Sequence, residues 1–474
     1  MNRNESNLQH LAKKKCSDSK SLKKRHRKKG LPGKSRGDEE SAIRSTGKDL
    51  GDDGILDLIF NPKTVEGWLV YSQGKTTQVS SKFKINGKEY FPLIDDNVRK
   101  GIVRLPTGLE DYQSTEDLYF WLKRFIAHYY NETDPAFLSL YAAYILLTWI
   151  AEKYDTYPYL LWLGAAGGGK TRALETLGNL CRKPTFLNAA STEAHLIRLL
   201  DAWRGTAIID EATFDRHSAS HNVIVQILCV GYKRQTGYRG CCEGVSNTPR
   251  NFYVGGPKLL ASRHEFLDDG LRSRCITRKT GGDARREGQP FALDGDFYEG
   301  VSKAQRMLLK WRFDHYHEAR LDPSNEIKGV ESRVNEILCP LLSVIKDEKI
   351  RNEFQGIGIQ QQEAIREARR STLEGFAVGY LADRLVEGVA AVHVKDIATA
   401  ATEAGVLRKA VSPRTLASSL RGIGLDTPKD RAGIFIDLSN QRKVEAVKTL
   451  ARSFGWEGRD ACDDVPTPQL GKNG

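Results

Sequence analysis

Apolar residues change rhythm along this chain, and each rhythm predicts an element. Over 54–107, short runs such as Trp68-Leu69-Val70-Tyr71 and Phe83-Lys84-Ile85 predict strands. Asn86-Gly87, just before Lys88-Glu89-Tyr90-Phe91, is a hairpin turn signal. Over 114–130 Leu118, Trp121, Leu122, Phe125, Ile126 and Tyr129 recur at helical spacing, and Ser114 with Asp117 resembles a capping box. The run 135–151 is uncharged and bounded by Asp134 and Glu152. It is at the bottom of the length range that spans a bilayer, where ~20 residues is usual. Asp134 as N-cap and Pro135 at the first helical position instead predict a buried core helix.

From 159 to 280 strand and helix patterns alternate. Tyr159-Leu160-Leu161-Trp162-Leu163, Thr206-Ala207-Ile208-Ile209 and Lys258-Leu259-Leu260-Ala261-Ser262 read as short buried strands, and 172–180 and 222–231 as helices. Such alternation predicts a parallel α/β sheet. The stretch 297–385 is helical and charged. After 390 the pattern becomes helix (394–404), helix (414–422, with Ser412 as N-cap and Pro413 at the first position), strand (433–438) and helix (442–454), the outline of a winged helix-turn-helix. The expected units are an arm over 1–50 that stays disordered, a small β-rich module over 54–110, an α/β domain with its preceding helices over 114–280, a helical region over 297–385, a winged-helix-like unit over 390–456 and a disordered tail over 457–474.

At 474 residues, 40% hydrophobic and 28% charged, the chain has the composition of a soluble protein of several units. Its eight cysteines are scattered, without C-x-x-C or zinc spacing, which suits a reducing, cytoplasmic setting. The N-terminus lacks the apolar segment of a signal peptide, and no membrane association is expected. The net charge of +12 is concentrated at one end: residues 1–48 hold 15 Lys/Arg against 5 Asp/Glu. Lys13-Lys14-Lys15 and Lys23-Lys24-Arg25-His26-Arg27-Lys28-Lys29 have almost no apolar periodicity, and a disordered basic arm of this kind usually meets nucleic acid.

The decisive motif follows the first strand of the α/β stretch. Gly164-Ala165-Ala166-Gly167-Gly168-Gly169-Lys170-Thr171 is G-x-x-x-x-G-K-T. Its small residues let backbone N–H groups wrap a phosphate, Lys170 can reach the β- and γ-phosphates, and the Thr171 hydroxyl can ligate Mg²⁺. The following helix faces the anion with its N-terminus. About 40 residues on, Asp210-Glu211 ends an apolar strand. Phosphoryl transfer to water needs a carboxylate to hold Mg²⁺ and a second group to orient the water. Asp210 fits the first role and Glu211 the second. Ser262 ends the next strand, and Leu271-Arg272-Ser273-Arg274-Cys275 follows.

This order of motifs resembles the AAA+ ATPases. The resemblance implies a P-loop NTPase fold, ATP and Mg²⁺ as cofactors, and a γ-phosphate sensor at Ser262, where many relatives carry Asn or Thr. Ser273-Arg274-Cys275 resembles the Ser-Arg-Cys box of clamp-loader ATPases, which implies that Arg274, with Arg272 in reserve, is a finger completing the site of a neighbouring subunit. The protein would then be an oligomer, presumed a ring by that resemblance. The order Thr148-Trp149, Pro158-Tyr159-Leu160, phosphate loop, Asp210-Glu211, Gly231-Tyr232-Lys233-Arg234 and Gly256-Pro257-Lys258 is also similar to DNA-dependent ATPases of phages, plasmids and integrated elements, themselves similar to superfamily 3 helicases and primase-helicases. That resemblance spans about 115–280.

Basic and aromatic residues interleave over 231–250, so Lys233, Arg234 and Arg239 are candidate DNA contacts, with tyrosines for base stacking; superfamily 3 relatives place a pore-lining hairpin at this point in the order. Arg414, Ser418 and Arg421 fall near one face of the helix after Pro413, as on a recognition helix. The same segments also read as plain surface loops or a protein-docking lid. The expected function is an ATP-hydrolysing, DNA-dependent motor, a helicase or helicase-like replication ATPase acting on single-stranded or forked DNA. An ATP-switched initiator or loader that does not unwind is the alternative.

Overall fold

The computed structural model describes residues 42–74, 76–187, 192–210, 219–243, 248–266, 268–281, 285–406 and 410–456. Strands come first: β1 (Ile43–Ser45), β2 (Lys48–Asp49), β3 (Ile55–Asn61), β4 (Glu66–Gln73), β5 (Thr76–Ser80), β6 (Phe83–Ile85) and β7 (Lys88–Pro92). They form two small sheets, ordered β2-β3-β4-β5 and β1-β7-β6. Asn86 (φ 50°) and Gly87 (φ 74°) both adopt positive φ between β6 and β7, the backbone that a two-residue hairpin demands. β1 and β2 fall inside the stretch expected to be a disordered arm, because Ile43 and Leu50 pack against the core.

Helices α1 (Asp96–Arg99), α2 (Thr115–Tyr129) and α3 (Pro135–Ile150) follow. The Ser114 hydroxyl accepts from the Asp117 N–H at the start of α2, and the Asp134 carboxylate accepts from Ala136 N–H at the start of α3. α2 buries the apolar stripe of Leu118, Leu122, Phe125, Ile126 and Tyr129. α3 has no polar face: it is buried almost all round, with α2 and three later helices packed on it. Pro135–Lys153 is long and apolar enough to cross a membrane by length and composition, yet 78% of that window is buried inside the protein.

The central layer then forms: β8 (Tyr159–Leu163), α4 (Lys170–Gly178), β9 (Thr185–Leu187), α5 (Glu193–Trp203), β10 (Ala207–Ile209), α6 (Ala219–Val230), β11 (Tyr238–Glu243), β12 (Thr248–Tyr253), β13 (Lys258–Ser262), α7 (Asp269–Arg272) and β14 (Cys275–Lys279). Five strands make a parallel sheet in the order β14-β8-β13-β10-β9. Tyr159–Leu163 and Lys258–Ser262 are buried at every position, as expected of parallel strands covered on both faces. Among the described residues β11 and β12 pair only with each other, as a hairpin between α6 and β13.

Helices α8 (Gly295–His315), α9 (Ser332–Leu342), α10 (Glu348–Arg370) and α11 (Leu373–Val386) precede β15 (Ala391–His393), α12 (Val394–Glu403), α13 (Pro413–Gly422), β16 (Phe435–Asp437) and α14 (Gln441–Ser453). β15 and β16 pair antiparallel. This last part has its own core, with Val392, Ile397, Leu416, Leu420, Ile436 and Val447. The same core takes Leu373, Ala377 and Leu381 from α11, upstream of the boundary expected near 390.

A buried ionic cluster ties the β-rich part to the central layer. The Asp57 carboxylate on β3 lies 2.9 Å from Arg182, 3.3 Å from Lys183 and 3.1 Å from Arg312 on α8. Glu152 pairs with Arg182 and Arg312 as well. Burial alone would raise the Asp57 carboxyl, but the three cations hold it well below the usual carboxylate range; Glu152 is brought down to about 2 against the same burial penalty by Arg182 and Arg312. Both are carboxylates with depressed folded values. Their stabilisation is therefore present above the ordinary carboxylate pKa of about 4 and is lost as pH falls through the folded values. Asp57→Asn leaves buried cations uncompensated and should cost about 3–5 kcal/mol. Denaturant unfolding at pH 7 measures this. Melting followed from pH 6 down to 2 should show a shallower acid limb in the variant than in wild type, and equal stability at pH 7 would refute a central role for the cluster.

Candidate active site

β8 delivers the chain to the carboxyl edge of the sheet, and the motif Gly164–Thr171 turns there into α4. The turn is built from glycine conformations: φ is +81° at Gly167 and +77° at Gly169, which caps α4 through its left-handed backbone and leaves the first N–H groups of the helix without a side-chain cap. A Cβ on Gly167 would point into open space. Gly164 is different: a Cβ there would lie 2.4 Å from both the carbonyl oxygen and the hydroxyl of Thr280, just past β14. Thr280 N–H in turn donates to Leu163 carbonyl at 2.7 Å. The loop is thus clamped between its own strand and the end of β14.

Lys170 is buried, and its ammonium donates to the carbonyls of Gly164 (2.8 Å) and Ala165 (2.6 Å), so its charge stands across the mouth of the loop. The Thr171 hydroxyl donates to Asp210 Oδ2 at 2.8 Å. This bond spans two strands that are not neighbours, since β13 lies between β8 and β10. Two hard oxygen donors side by side, next to a glycine loop that opens a helix N-terminus, suit Mg²⁺, which takes one or two protein oxygens and fills its octahedron with phosphate and water. Glu211 lies outside the described residues.

Ser262 ends β13 between the two motifs. Its carbonyl accepts from Gly164 N–H at 3.2 Å, while its hydroxyl donates to the His264 carbonyl at 2.6 Å. It touches the loop through its backbone. Beside the loop is a cavity of about 190 Å³, lined by Gly167, Gly168, Gly169, Tyr130, Arg172 and Gln289 among others. Arg172 Nη1 is buried there without a hydrogen-bond partner among the described residues. Behind it Glu132 is held by Arg278 and receives the Tyr141 hydroxyl. Thr280, Arg172 and the Glu132–Arg278 pair carry no motif and were missed by sequence reasoning.

Arg274 sits at the other end of the sheet. Its carbonyl accepts from Tyr159 N–H at the start of β8, and its guanidinium lies over the Tyr232 ring at 5.3 Å with Nε buried and, among the described residues, without a hydrogen-bond partner. It does not approach the phosphate loop of its own chain. Arg272 is paired with Asp269 and Glu265.

The candidate DNA residues are dispersed. Lys233 is exposed, and Arg234 is paired with Asp155 at 2.9 Å. Arg239, on β11, bonds Gln226 at 3.1 Å. Lys258, of the Gly256-Pro257-Lys258 motif, is buried and donates to the carbonyls of Val254 and Gly256, closing the foot of the hairpin; burial lowers its ammonium to about 7. In the last part Arg414 and Arg421 are exposed on α13, and Arg421 donates to the Thr427 hydroxyl. The arm residues 1–41 lie outside the described residues.

No protein-family model and no curated protein matches the sequence. Among solved structures, the apo A form of the NrS-1 C-terminal region is similar at 12% identity and a TM-score of 0.34, over 81% of this chain and 96% of that one. SCCmec type IV Cch, titled an active helicase, is similar at 12% identity and a TM-score of 0.37, over 86% and 98%. At these scores neither likeness carries an argument, and the functional reading rests on the site itself.

Because the Thr280 carbonyl is backbone, Gly164→Ala cannot be relieved by a rotamer change and must move the loop. Displacements of about 1 Å in positioned sites can cost roughly 10²-fold. Calorimetric titration with ATP and Mg²⁺ should show affinity reduced at least about tenfold, with the melting temperature little changed. Wild-type affinity would mean that the clamp does not shape the loop.

Proposed function

We propose that the protein is an ATP-hydrolysing, DNA-dependent motor of the AAA+ type, helicase-like and oligomeric. The observation that carries this reading is the Thr171–Asp210 hydrogen bond at the carboxyl edge of the sheet, beside the glycine loop. That edge is where open parallel sheets bind ligands. The loop N–H groups and Lys170 bind the triphosphate, with Lys170 exchanging the Gly164 and Ala165 carbonyls for phosphate oxygens. Thr171 and Asp210 hold Mg²⁺, which would supply charge neutralisation on the phosphates. Glu211, next in the chain, orients and deprotonates the attacking water. Ser262 positions the loop and lies at the strand tip where a sensor would act.

Arg274 can serve only a neighbouring copy, since it stands at the opposite end of its own sheet. DNA meets Lys233, Arg234 and Arg239 around the hairpin, Arg414 and Arg421 on the winged-helix-like unit, and the basic arm.

Lys170→Ala should abolish ATP binding. Glu211→Gln should keep binding while turnover falls by roughly 10² or more. Turnover is measured with and without single-stranded and forked DNA, and strand separation on the fork is read in the same samples. Equal turnover in wild type and Glu211→Gln would sink the catalytic assignment; turnover indifferent to DNA would sink the DNA dependence.

The trans role of Arg274 has its own test. Arg274→Ala and Lys170→Ala should each be inactive, with arginine fingers worth roughly 10³–10⁵ in kcat. Mixing them builds some interfaces with one intact site, so partial turnover should return. Near-normal turnover of Arg274→Ala alone would transfer the role to Arg272.

A further inference from the structure

A second cavity, of about 400 Å³, opens at the end of the sheet opposite the phosphate loop. Its lining comes from residues that precede their strands: Tyr157 before β8, Lys183 before β9, Gly205 before β10 and Pro257 before β13. β2 and α8 close its other sides. Cations dominate its walls, with Lys48, Arg182, Lys183, Arg204, Arg234 and Arg312 against Asp49 and Glu152. Arg182, Lys183 and Arg312 are all more than nine-tenths buried, with Asp57 behind them and Glu152 paired with Arg182 and Arg312. Arg204 and Arg234 at the rim hold only partly exposed partners, Asp201 at 3.6 Å and Asp155 at 2.9 Å. Pairs of that kind are weak and yield readily to a stronger anion.

Aromatic rings share the same walls. Tyr238 and Tyr253 are the pair that opens the β11–β12 hairpin, with ring centroids 5.2 Å apart, and Arg204 lies over Tyr253 at 4.9 Å. Trp203 also lines the cavity, and its indole N–H is buried with no hydrogen-bond partner among the described residues. A buried donor left unmatched is costly, and an acceptor oxygen brought within its reach would relieve that cost. Cations for a backbone together with rings for bases are the recurring equipment of single-strand sites, and the volume is that of a small-molecule pocket.

We propose that this cavity binds one phosphate-and-base unit of a single nucleic-acid strand, the phosphate on Arg204, Arg182 and the Trp203 N–H, and the base against Tyr238 and Tyr253. The hairpin argues for a strand over a free nucleotide. Its foot forms the cavity wall through Tyr238 and Tyr253, which share one face of the hairpin, and the exposed Tyr238 with Arg204 and Arg234 at the rim lets a chain continue out of the cavity. The inference rests on the DNA-dependent reading only for the source of the phosphate, and it adds a site whose key residues, Trp203 and Arg204, lie outside the DNA contacts named above.

The test uses the full chain without ATP and a labelled twenty-nucleotide oligo-dT, titrated across salt. Arg204→Gln and Trp203→Phe should each weaken binding about fivefold or more, and Arg204→Gln should flatten the log–log salt slope by about 0.7, the value for one phosphate on a single strand. Should either variant lose its fold by melting, the wild-type chain answers alone: oligonucleotide bearing 5-iodo-deoxyuridine should photocrosslink to Trp203, Tyr238 or Tyr253. Titration of dTMP into the Lys170→Ala chain separates the sources. Saturable dTMP binding abolished by Arg204→Gln would overturn the strand as occupant. Wild-type binding with unaltered affinity and slope in both variants, or adducts only elsewhere, would overturn the site while leaving the DNA-dependent reading intact. Failure of wild type to bind the oligonucleotide would overturn both.

Discussion

β8 is the constraint on which the rest of the structure depends. It is hydrogen-bonded to β13 on one side and β14 on the other, and its five residues are buried. A parallel strand in that position must be covered on both faces, so α3 is buried almost all round and carries no charge from Pro135 to Ile150. Because every strand of the sheet points the same way, all five carboxyl ends emerge at one edge. The glycine loop, the Ser262 turn, Asp210 and Thr280 meet there although they are spread over more than a hundred residues.

The two edges of the sheet divide the chemistry. One edge presents backbone N–H groups, one buried lysine and the Thr171–Asp210 oxygen pair, a set suited to a metal-bound phosphate. The other collects buried guanidinium groups around Asp57 and Glu152. That second edge also joins the β-rich part to the central layer, since Asp57 belongs to β3 and its partners to the segment after α4 and to α8. Desolvating so many charges is tolerable only because each anion accepts from more than one cation. The excess of positive charge facing the cavity is what remains after that internal matching. Arg274 lies at this same edge, where its carbonyl accepts from Tyr159 N–H.

Local chemistry made much of this legible from the sequence. Asn86-Gly87 demanded a two-residue hairpin because both positions adopt positive φ, and Ser114, Asp134 and Ser412 marked helix starts because their side chains accept the free N–H groups of a first turn. The glycine loop was readable for the same reason: its function depends on backbone freedom at Gly167 and Gly169. β9 and β15, each three residues long, left no periodicity to detect. The hairpin of β11 and β12 was hidden because it pairs only with itself and has a largely exposed, polar strand.

The sequence by itself determined the glycine-rich G-x-x-x-x-G-K-T turn, the adjacency of Asp210 and Glu211, the α/β alternation and the segregation of basic charge into the first tenth of the chain. These are properties of neighbouring residues, written in spacing and residue type. Only the tertiary structure decided that β13 lies between the loop strand and the Asp210 strand, that Thr280 is the wall that keeps residue 164 a glycine, and that Arg182, Lys183 and Arg312 converge on Asp57. Those facts depend on strand order and on which side chains share a buried volume, and hydrogen bonding between distant segments leaves no periodic trace along the chain.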